Sequence, residues 1–476
     1  MLTAIDTTES KASSAQVASA SNEELAGPVT ATAPAKLSER FSSIDVLRGV
    51  ALLGILVLNI DYFGTVQLAH DIPVGTPTND FAGPHAHLNL ILFMIKWMFF
   101  EGKMRGLFSM LFGAGVILMT TRAELRGSKD SADIYTRRNM FLMFFGILHS
   151  IFIWNGDILF DYGFVALLFL YPLRKLKPKT LLWSGTLLSV FVAPLGVVHL
   201  LGAGQDLSLS RQAASIQASK KAGSLITAEQ SDLLKQWNAR VQSQSPTPAK
   251  TQAHLKEATS SYLQQVASNS EGLLDGFTPH LDLLMDVLSA MLIGMGLMKL
   301  GFFTGELSYA SYWWTAILGF SISVPFYALG ALKVYSSGFF FLDLEKWLFF
   351  PYYLTREPGS LAIAAFVMII IKSGLFKIPQ RLLAAVGRTA FSNYILTSLI
   401  CQTLFVWGPW KLYGKLGYYQ LMYVVFAVWT FNIVFSFLWL KMFAFGPLEF
   451  VWRSLTYGTM PPMRLGQKNN LGAALA

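Results

Sequence analysis

The sequence has 476 residues, of which 53% are hydrophobic and 14% aromatic, and its mean hydropathy is +0.46. These values exclude an ordinary soluble domain and indicate a chain that lies largely in lipid. The net charge of +9 does not indicate a nucleic-acid partner, because basic residues such as Arg137 and Arg138 stand in short groups beside apolar runs. The single cysteine, Cys401, excludes an internal disulfide and a cysteine-rich metal site, and we expect no metal.

Long apolar segments predict an all-α fold, a polytopic integral membrane helix bundle with about ten transmembrane helices. The predicted segments are 44–66, 90–121, 138–155, 157–173, 180–200, 281–299, 309–332, 359–376, 383–407 and 419–440. Several are short or interrupted by polar residues, which favours helices that face one another around an interior cavity. The distribution of lysine and arginine favours a cytoplasmic location for both termini, an N-in/C-in topology.

Composition divides the chain into five regions. The predicted regions are a disordered cytoplasmic tail (1–40), the first five helices (41–200), an extracytoplasmic helical insertion (201–279), the last five helices (280–445), and an interfacial helix with a cytoplasmic tail (446–476). The insertion is nearly free of aromatic residues, with helix-forming stretches at 228–241 and 249–267. Because it has too few apolar residues for a core of its own, we interpret it as a cap over the outer face of the bundle.

Charged residues at membrane depth are costly and therefore mark candidate functional sites. At the start of the first segment, Asp45 and Arg48 have the spacing of an ion pair near a helix N-terminus. This pair is typical of an interfacial anchor, or it forms the anion-binding edge of a cytoplasmic pocket.

Three further charges, Glu101, Lys103 and Arg105, interrupt the second segment beside glycines at 102 and 106. The glycines predict a break in the helix at this point. The charged side chains then form a structural ion network, or they line a cavity in which the cations bind phosphate or carboxylate.

A turn between two short helices carries the strongest candidate site. Asn155-Gly156-Asp157 predicts a tight antiparallel turn in which Asp157 caps the second helix, with Asp161 one helical turn further on. His149 lies about 9 Å along the helix from this turn, which predicts a position toward the outer half of the bilayer. A histidine beside a carboxylate in a low-dielectric cavity can act as a general base or a covalent acceptor, although a lone membrane histidine often only bonds a neighbouring helix.

A broad polar stripe follows Arg388 in the ninth segment. It includes Ser392, Asn393 and Tyr394, and it continues with hydroxyl side chains at helical spacing. Small and hydroxyl residues pack helices together in lipid, so the stripe is either a helix contact or the lining of a path for a ligand or protons.

These segments resemble the YeiB-like family of bacterial inner-membrane proteins, domain of unknown function 418. The matching stretches are IDVLRGVALLGILVLNI from Ile44, EGKMRGLFSMLFGAG from Glu101, LHSIFIWNGDILFDYG from Leu148, GRTAFSNYILTSLI from Gly387 and GPLEFVWRSLTYG from Gly446. The family looks like a branch of the transmembrane acyltransferase superfamily, whose members pass an acyl group from cytoplasmic acyl-CoA to an acceptor on the far side of the membrane. The resemblance implies a multi-pass protein of the bacterial inner membrane.

The function we expect is therefore transfer of an acetyl-like group from acyl-CoA, the expected donor, to an extracytoplasmic glycan or lipid-linked acceptor. His149, oriented by Asp157, is the expected base or acyl carrier. The expected phosphate-binding residues are Arg48, Lys103, Arg105 and Arg388, and the other candidate binding residues are Asp45, Glu101, Asp161, Ser392, Asn393 and Tyr394. Membrane lipids are the expected partners, and a homodimer is an open alternative.

The alternative function is that of a proton-coupled transporter or a membrane protein that binds a lipid or another small molecule. In that case Glu101, His149, Asp157 and Asp161 form a path for protons or substrate. Acyl-CoA would then be neither cleaved nor used.

Overall fold

The structure is a computed structural model, and it describes residues 42–66, 80–125, 130–191, 197–244, 247–275 and 281–465. These residues are helical, without a β-strand among them; an isolated bridge joins Phe443 and Arg464. The predicted tail at 1–40 lies outside the described residues. The all-α prediction is confirmed.

Six helices in the described ranges are long and apolar enough to cross a membrane. They are Ser42–Gly64, Ala86–Leu125, Tyr309–Ser336, Leu354–Ser373, Ala390–Trp407 and Tyr418–Met442. The structure is thus that of a helical protein with several candidate membrane-spanning segments.

Seventeen helices are labelled here in chain order. The first half contains α1 (Ser42–Gly64), α2 (Ala86–Ile95), α3 (Lys103–Leu125), α4 (Ser131–Phe152), α5 (Leu159–Val165) and α6 (Pro178–Phe191). The middle contains α7 (Val197–Lys221), α8 (Ala228–Gln244), α9 (Pro248–Ala258) and α10 (Tyr262–Asp275). The second half contains α11 (Leu281–Lys299), α12 (Tyr309–Ser336), α13 (Phe350–Ser373), α14 (Lys377–Arg388), α15 (Ala390–Gln402), α16 (Tyr418–Met442) and α17 (Pro447–Tyr457).

Shorter pieces extend four of these helices. They are the π-helical segments Lys96–Phe100, Ala166–Leu170, Glu345–Phe349 and Thr403–Trp407, and the short helices Tyr171–Leu173 and Phe341–Leu344. Single π-helical turns are frequent at functional sites. The first of them lies directly before the break between α2 and α3.

Three predicted helices are each divided by a break in the structure. The second predicted segment breaks at Glu101 and at Gly102, whose φ of 71° favours glycine. The ninth predicted segment is in fact two helices, α14 and α15, which meet at Thr389. In the insertion, the predicted helix 249–267 is also two helices, because Ser261 begins α10 through reciprocal hydrogen bonds with Gln264.

Glycines allow the central helices to pack at very short distance. A Cβ atom added at Gly113 of α3 would overlap the main-chain carbonyl of Met291 in α11, and one added at Gly294 would overlap that of Met110. Small residues at such crossings are typical of membrane helix pairs, which lack a hydrophobic driving force for association. The contact between α3 and α11 therefore depends on the absence of side chains.

Gly113→Ala is expected to lower the free energy of unfolding by about 1–3 kcal/mol, because a backbone carbonyl cannot move aside as a flexible side chain can. Gly115→Ala is the matched control, since nothing lies within 4 Å of a Cβ at that position of the same helix. Thermal unfolding of both variants in detergent measures the difference. Equal melting temperatures would contradict this account of the helix crossing.

The helical insertion contacts the bundle at the end of α4. The hydroxyl of Tyr262 donates to the carbonyl of Phe152 at 3.0 Å, and the amide of Asn269 donates to that of Ile151 at 3.2 Å. The indole N–H of Trp407 donates to Gln265 at 3.0 Å. Helix α10 therefore lies over the end of α4 that carries His149.

Candidate functional site

A cavity of about 300 Å³ lies between α1, α3, α4, α15 and α17. Its lining includes five arginines and two carboxylates, so positive charge is in excess. The charged lining residues are Arg48, Arg122, Arg138, Arg388, Arg453, Asp45 and Glu449. An enclosed excess of guanidinium groups is the usual environment for a bound phosphate or carboxylate.

The arginines gather at one end of the bundle, called here the basic end. Arg122 lies in the last turn of α3 and Arg388 is the last residue of α14, whereas Arg48 and Arg138 lie near the starts of α1 and α4. The Arg138 guanidinium stacks 3.8 Å from the ring centre of Trp452 in α17, which stabilises it by a cation–π contact. Helix α17 thus closes one wall of the cavity.

Apolar side chains line the cavity further from the basic end. They include Phe108, Leu111, Phe112, Leu142, Ile158 and Leu159. The cavity therefore combines a cationic end with an apolar interior, which suits a ligand with an anionic head and an apolar arm.

His149 lies on the same face of α4 as Arg138, in the last turn of the helix. The two are eleven residues apart, about three turns or roughly 16 Å at 1.5 Å per residue. Only 1% of the His149 side chain is exposed. The helix thus directs both side chains toward the same side at two different depths.

Asp157 fixes the orientation of the His149 ring. Its Oδ1 lies 2.9 Å from His149 Nδ1, and its Oδ2 accepts the main-chain N–H of Phe160 at 2.9 Å. This second bond confirms the predicted capping role of Asp157. Because a carboxylate only accepts hydrogen bonds, Nδ1 is the donor of this bond, and Nε2 takes no part in it. Nε2 is buried and has no hydrogen-bond partner among the described residues.

Tyr394 connects this pair to the cavity. Its ring centre lies 5.1 Å from that of His149, and its hydroxyl lies 3.5 Å from Asp157 Oδ1. Tyr394 also lines the cavity. His149 is therefore one side chain away from the space that the arginines enclose.

The structure brings four predicted residues, Asp45, Arg48, Arg388 and Tyr394, into this cavity, with His149 and Asp157 directly behind Tyr394. Asp161 lies one turn after Asp157 on α5 and is half-buried, and it is not among the described residues that line the cavity.

Ser392 and Asn393 hold helices together and are not among the described lining residues. The Ser392 hydroxyl donates to Glu449 and accepts the main-chain N–H of Leu448 at 3.0 Å. The Asn393 amide donates to Ser436 at 2.8 Å. Burial raises the pKa of Glu449, an effect that its hydrogen bonds from Ser392 oppose. The polar stripe of α15 is thus largely a helix contact.

Glu101, Lys103 and Arg105 lie in a separate cluster, outside the described lining of the cavity. Lys103 is fully buried, and its ammonium group donates to the carbonyls of Trp97 at 2.7 Å and of Glu101 at 3.2 Å. It thereby satisfies carbonyls that the helix break exposes. Arg105 bonds Asp286 at 3.0 Å. Neither cation reaches the site of Arg48 and Arg388.

Five further buried charges, which the sequence motifs did not predict, lie in that separate cluster. They are Asp61, Lys96, Asp286, Arg356 and Glu357. Asp286 pairs with both Arg105 and Arg356, and Arg356 also pairs with Glu357. Each stands in or beside an apolar run, so the rule that a membrane charge needs a partner could have found them.

The family model described as "Protein of unknown function (DUF418)" matches residues 297–459. The chain is 30% identical over 458 residues to the "Uncharacterized protein YxaH" of Bacillus subtilis (strain 168), covering 90% of this chain and 97% of that relative. It is 31% identical over 434 residues to the "Uncharacterized protein YeiB" of Escherichia coli (strain K12), covering 89% and 98%.

A third relative, the "Uncharacterized 39.9 kDa protein in amylase 3'region" of Bacillus acidopullulyticus, is 26% identical over 444 residues. That match covers 91% of this chain and 98% of the relative. No solved structure matches the chain. The bacterial relatives support a bacterial source, and their coverage shows that the chain belongs to the DUF418 family, together with YeiB and YxaH.

Proposed function

We propose that this protein is a transmembrane acyltransferase that moves an acetyl-like group from cytoplasmic acyl-CoA to an extracytoplasmic acceptor such as a glycan. The observation that carries the proposal is one cavity with five arginines at its basic end and, behind Tyr394, a histidine whose Nδ1 is held by Asp157 and whose Nε2 is unpartnered among the described residues.

The arginines at the basic end suit the phosphates of the donor. Guanidinium groups bind phosphate oxygens through paired, charge-assisted hydrogen bonds. The apolar interior suits the arm that carries the thioester, and the distance from Arg138 to His149 along α4 leaves room for an extended arm. In this proposal Arg48 and Arg388 bind the donor phosphates, whereas Lys103 and Arg105 belong to the separate cluster.

His149 has the arrangement of a base or a transient acyl carrier. As a carrier, Nε2 forms a bond to the acyl carbon while the carbon–sulfur bond breaks and the thiolate leaves. The acceptor hydroxyl then bonds the acyl carbon, the carbon–nitrogen bond breaks, and the released proton balances the thiolate. Asp157 stabilises the positive charge that develops on the ring.

In this proposal the basic end faces the cytoplasm, as the positive-inside rule favours, and both termini lie on that side. In this proposal α4, α5, α6 and α11 join the six long helices to make ten crossings of the bacterial inner membrane. Helix α10 then covers the outer end of α4, where its contacts with Phe152 and Ile151 put it beside the path of an acceptor.

Arg138→Gln is expected to weaken binding of a non-hydrolysable acyl-CoA analogue about tenfold or more, because a hydrogen bond to a charged group contributes about 1.5–3 kcal/mol. Arg137→Gln is the matched control, since Arg137 is exposed and is not among the described residues lining the cavity. Titration calorimetry in detergent measures both. Equal losses would show that net charge, and not this cavity, binds the donor.

A second candidate follows from the same arginines, which could hold the phosphate of a lipid headgroup. The lipid-binding alternative predicts that phospholipid competes with the analogue and that the thioester bond stays intact. Release of free CoA thiol from acyl-CoA distinguishes the two functions.

A further inference from the structure

A buried lysine shared by two carboxylates lies far from the arginine-lined cavity. Lys96 Nζ is 2.5 Å from Asp61 Oδ2 and 3.7 Å from Glu101 Oε2. The Asp61 and Lys96 side chains are 1% and 2% exposed. Because α1 begins at the basic end, Asp61, one turn before its final residue Gly64, lies toward the opposite end. Lys96 therefore has two carboxylates, those of Asp61 and Glu101, within ion-pair distance at the end of the bundle opposite the basic end.

Two buried polar atoms at this ion pair lack a hydrogen-bond partner. Within the described part of the chain, these are Asp61 Oδ1 and the Tyr418 hydroxyl. Tyr418 interacts electrostatically with Asp61, Lys96 and Glu101. A purely structural network would satisfy such groups. An open acceptor on the carboxylate and an open hydroxyl beside it point to exchangeable protons or water there.

The pair lies at the break between α2 and α3. Lys96 begins the π-helical segment and Glu101 ends it, directly before Gly102 with its positive φ. If Lys96 exchanged Asp61 for Glu101 as its partner, the exchange would therefore affect the short segment that joins α2 to α3. A local change of charge pairing can bias an element that has two arrangements.

We propose that Asp61 is a proton-binding site that switches the helix break between two arrangements. A proton from the outer side bonds Asp61 Oδ1 and neutralises the carboxylate. Lys96 keeps its own proton, loses its charged partner and pairs with Glu101. The other titratable or charged groups that face this site are Lys103, Tyr327, Tyr418 and Asp80. Asp61, Lys96 and Glu101 lie outside the proposed acyl-transfer site. Proton binding by Asp61 can therefore be tested without acyl-CoA.

Infrared difference spectroscopy on purified protein tests proton binding. Acidification from neutral pH is expected to produce, in the wild-type protein, a C=O band from the protonated Asp61 carboxyl group. This band is expected to be absent in Asp61→Asn. The band is expected to persist in Asp232→Asn, because Asp232 is an exposed acid of the insertion. A band that survives in Asp61→Asn, or no such band in wild type, overturns the assignment of the proton site.

A distance measurement tests the switch. Spin labels at Ile91→Cys in α2 and Met140→Cys in α4, both more than half exposed, report the position of α2, with Cys401 replaced by serine. The wild-type distance is expected to shift on acidification, and Asp61→Asn is expected to show the acid distance at both pH values. A wild-type distance that does not change with pH overturns the switch, even if the variant fails to fold.

Discussion

Replacing His149 by alanine is expected to lower the rate of acyl transfer by about 10²–10⁴-fold, the usual range for loss of a positioned base. The variant removes the buried Nε2 that the Asp157 bond leaves available. The measurement is release of CoA thiol from acyl-CoA in the presence of an acceptor. Background from the protein is low because Cys401 is its single cysteine and is fully buried.

His254→Ala is the matched control for that experiment, since His254 is an exposed histidine of α9 in the insertion. Asp157→Asn is expected to lie between wild type and His149→Ala, because an amide still fills the site but no longer stabilises a positive ring. If His149→Ala released thiol at the wild-type rate, the catalytic role of this residue would be wrong.

Replacing Asp286 by alanine is expected to lower the free energy of unfolding by about 3–5 kcal/mol, because removing one partner leaves buried charge uncompensated. Asp286 is the shared partner of Arg105 and Arg356, and Arg356 is almost completely buried. Thermal unfolding of the purified protein in detergent measures the loss. The same variant is expected to keep its affinity for an acyl-CoA analogue, since the cluster lies apart from the cavity.

Asp232→Ala is the control for this stability experiment. Asp232 pairs with Lys235 at 2.9 Å, but both side chains are well exposed, and such surface pairs contribute about 0.5 kcal/mol. Similar destabilisation by the two variants would show that the buried pairs of Asp286 are no stronger than a surface pair. A large loss of analogue affinity in Asp286→Ala would instead connect the two clusters.

Local features of the structure were predictable from sequence because their chemistry is local. Gly102 accounts for the break in the second segment, and Asp157, eight residues after His149, bonds the first turn of the helix that follows. Neither inference needs knowledge of distant contacts. Apolar segment length likewise predicts a membrane bundle without any knowledge of packing.

Contacts between distant segments were not predictable. Arg122, Arg138 and Arg453 join Arg48 only because α3, α4 and α17 converge on the start of α1. Ser392 has the composition of a binding residue, yet the packing of α17 gives it Glu449 as a partner. The charged residues of the Asp286 cluster are visible in the sequence, but their pairing is not. Arg105 therefore resembled a ligand-binding cation, although the fold pairs it with Asp286.

Sidedness of transfer tests the central proposal most directly. Protein reconstituted into sealed vesicles, with the basic end outward, is given acyl-CoA labelled in the acyl group outside and a glycan acceptor inside. Acyl transfer through the cavity predicts that labelled acyl glycan accumulates inside while an equal amount of CoA thiol appears outside, and that both signals disappear in His149→Ala. Labelled acyl-CoA that stays intact, or that enters the vesicle with its CoA attached, would contradict acyl transfer through this cavity.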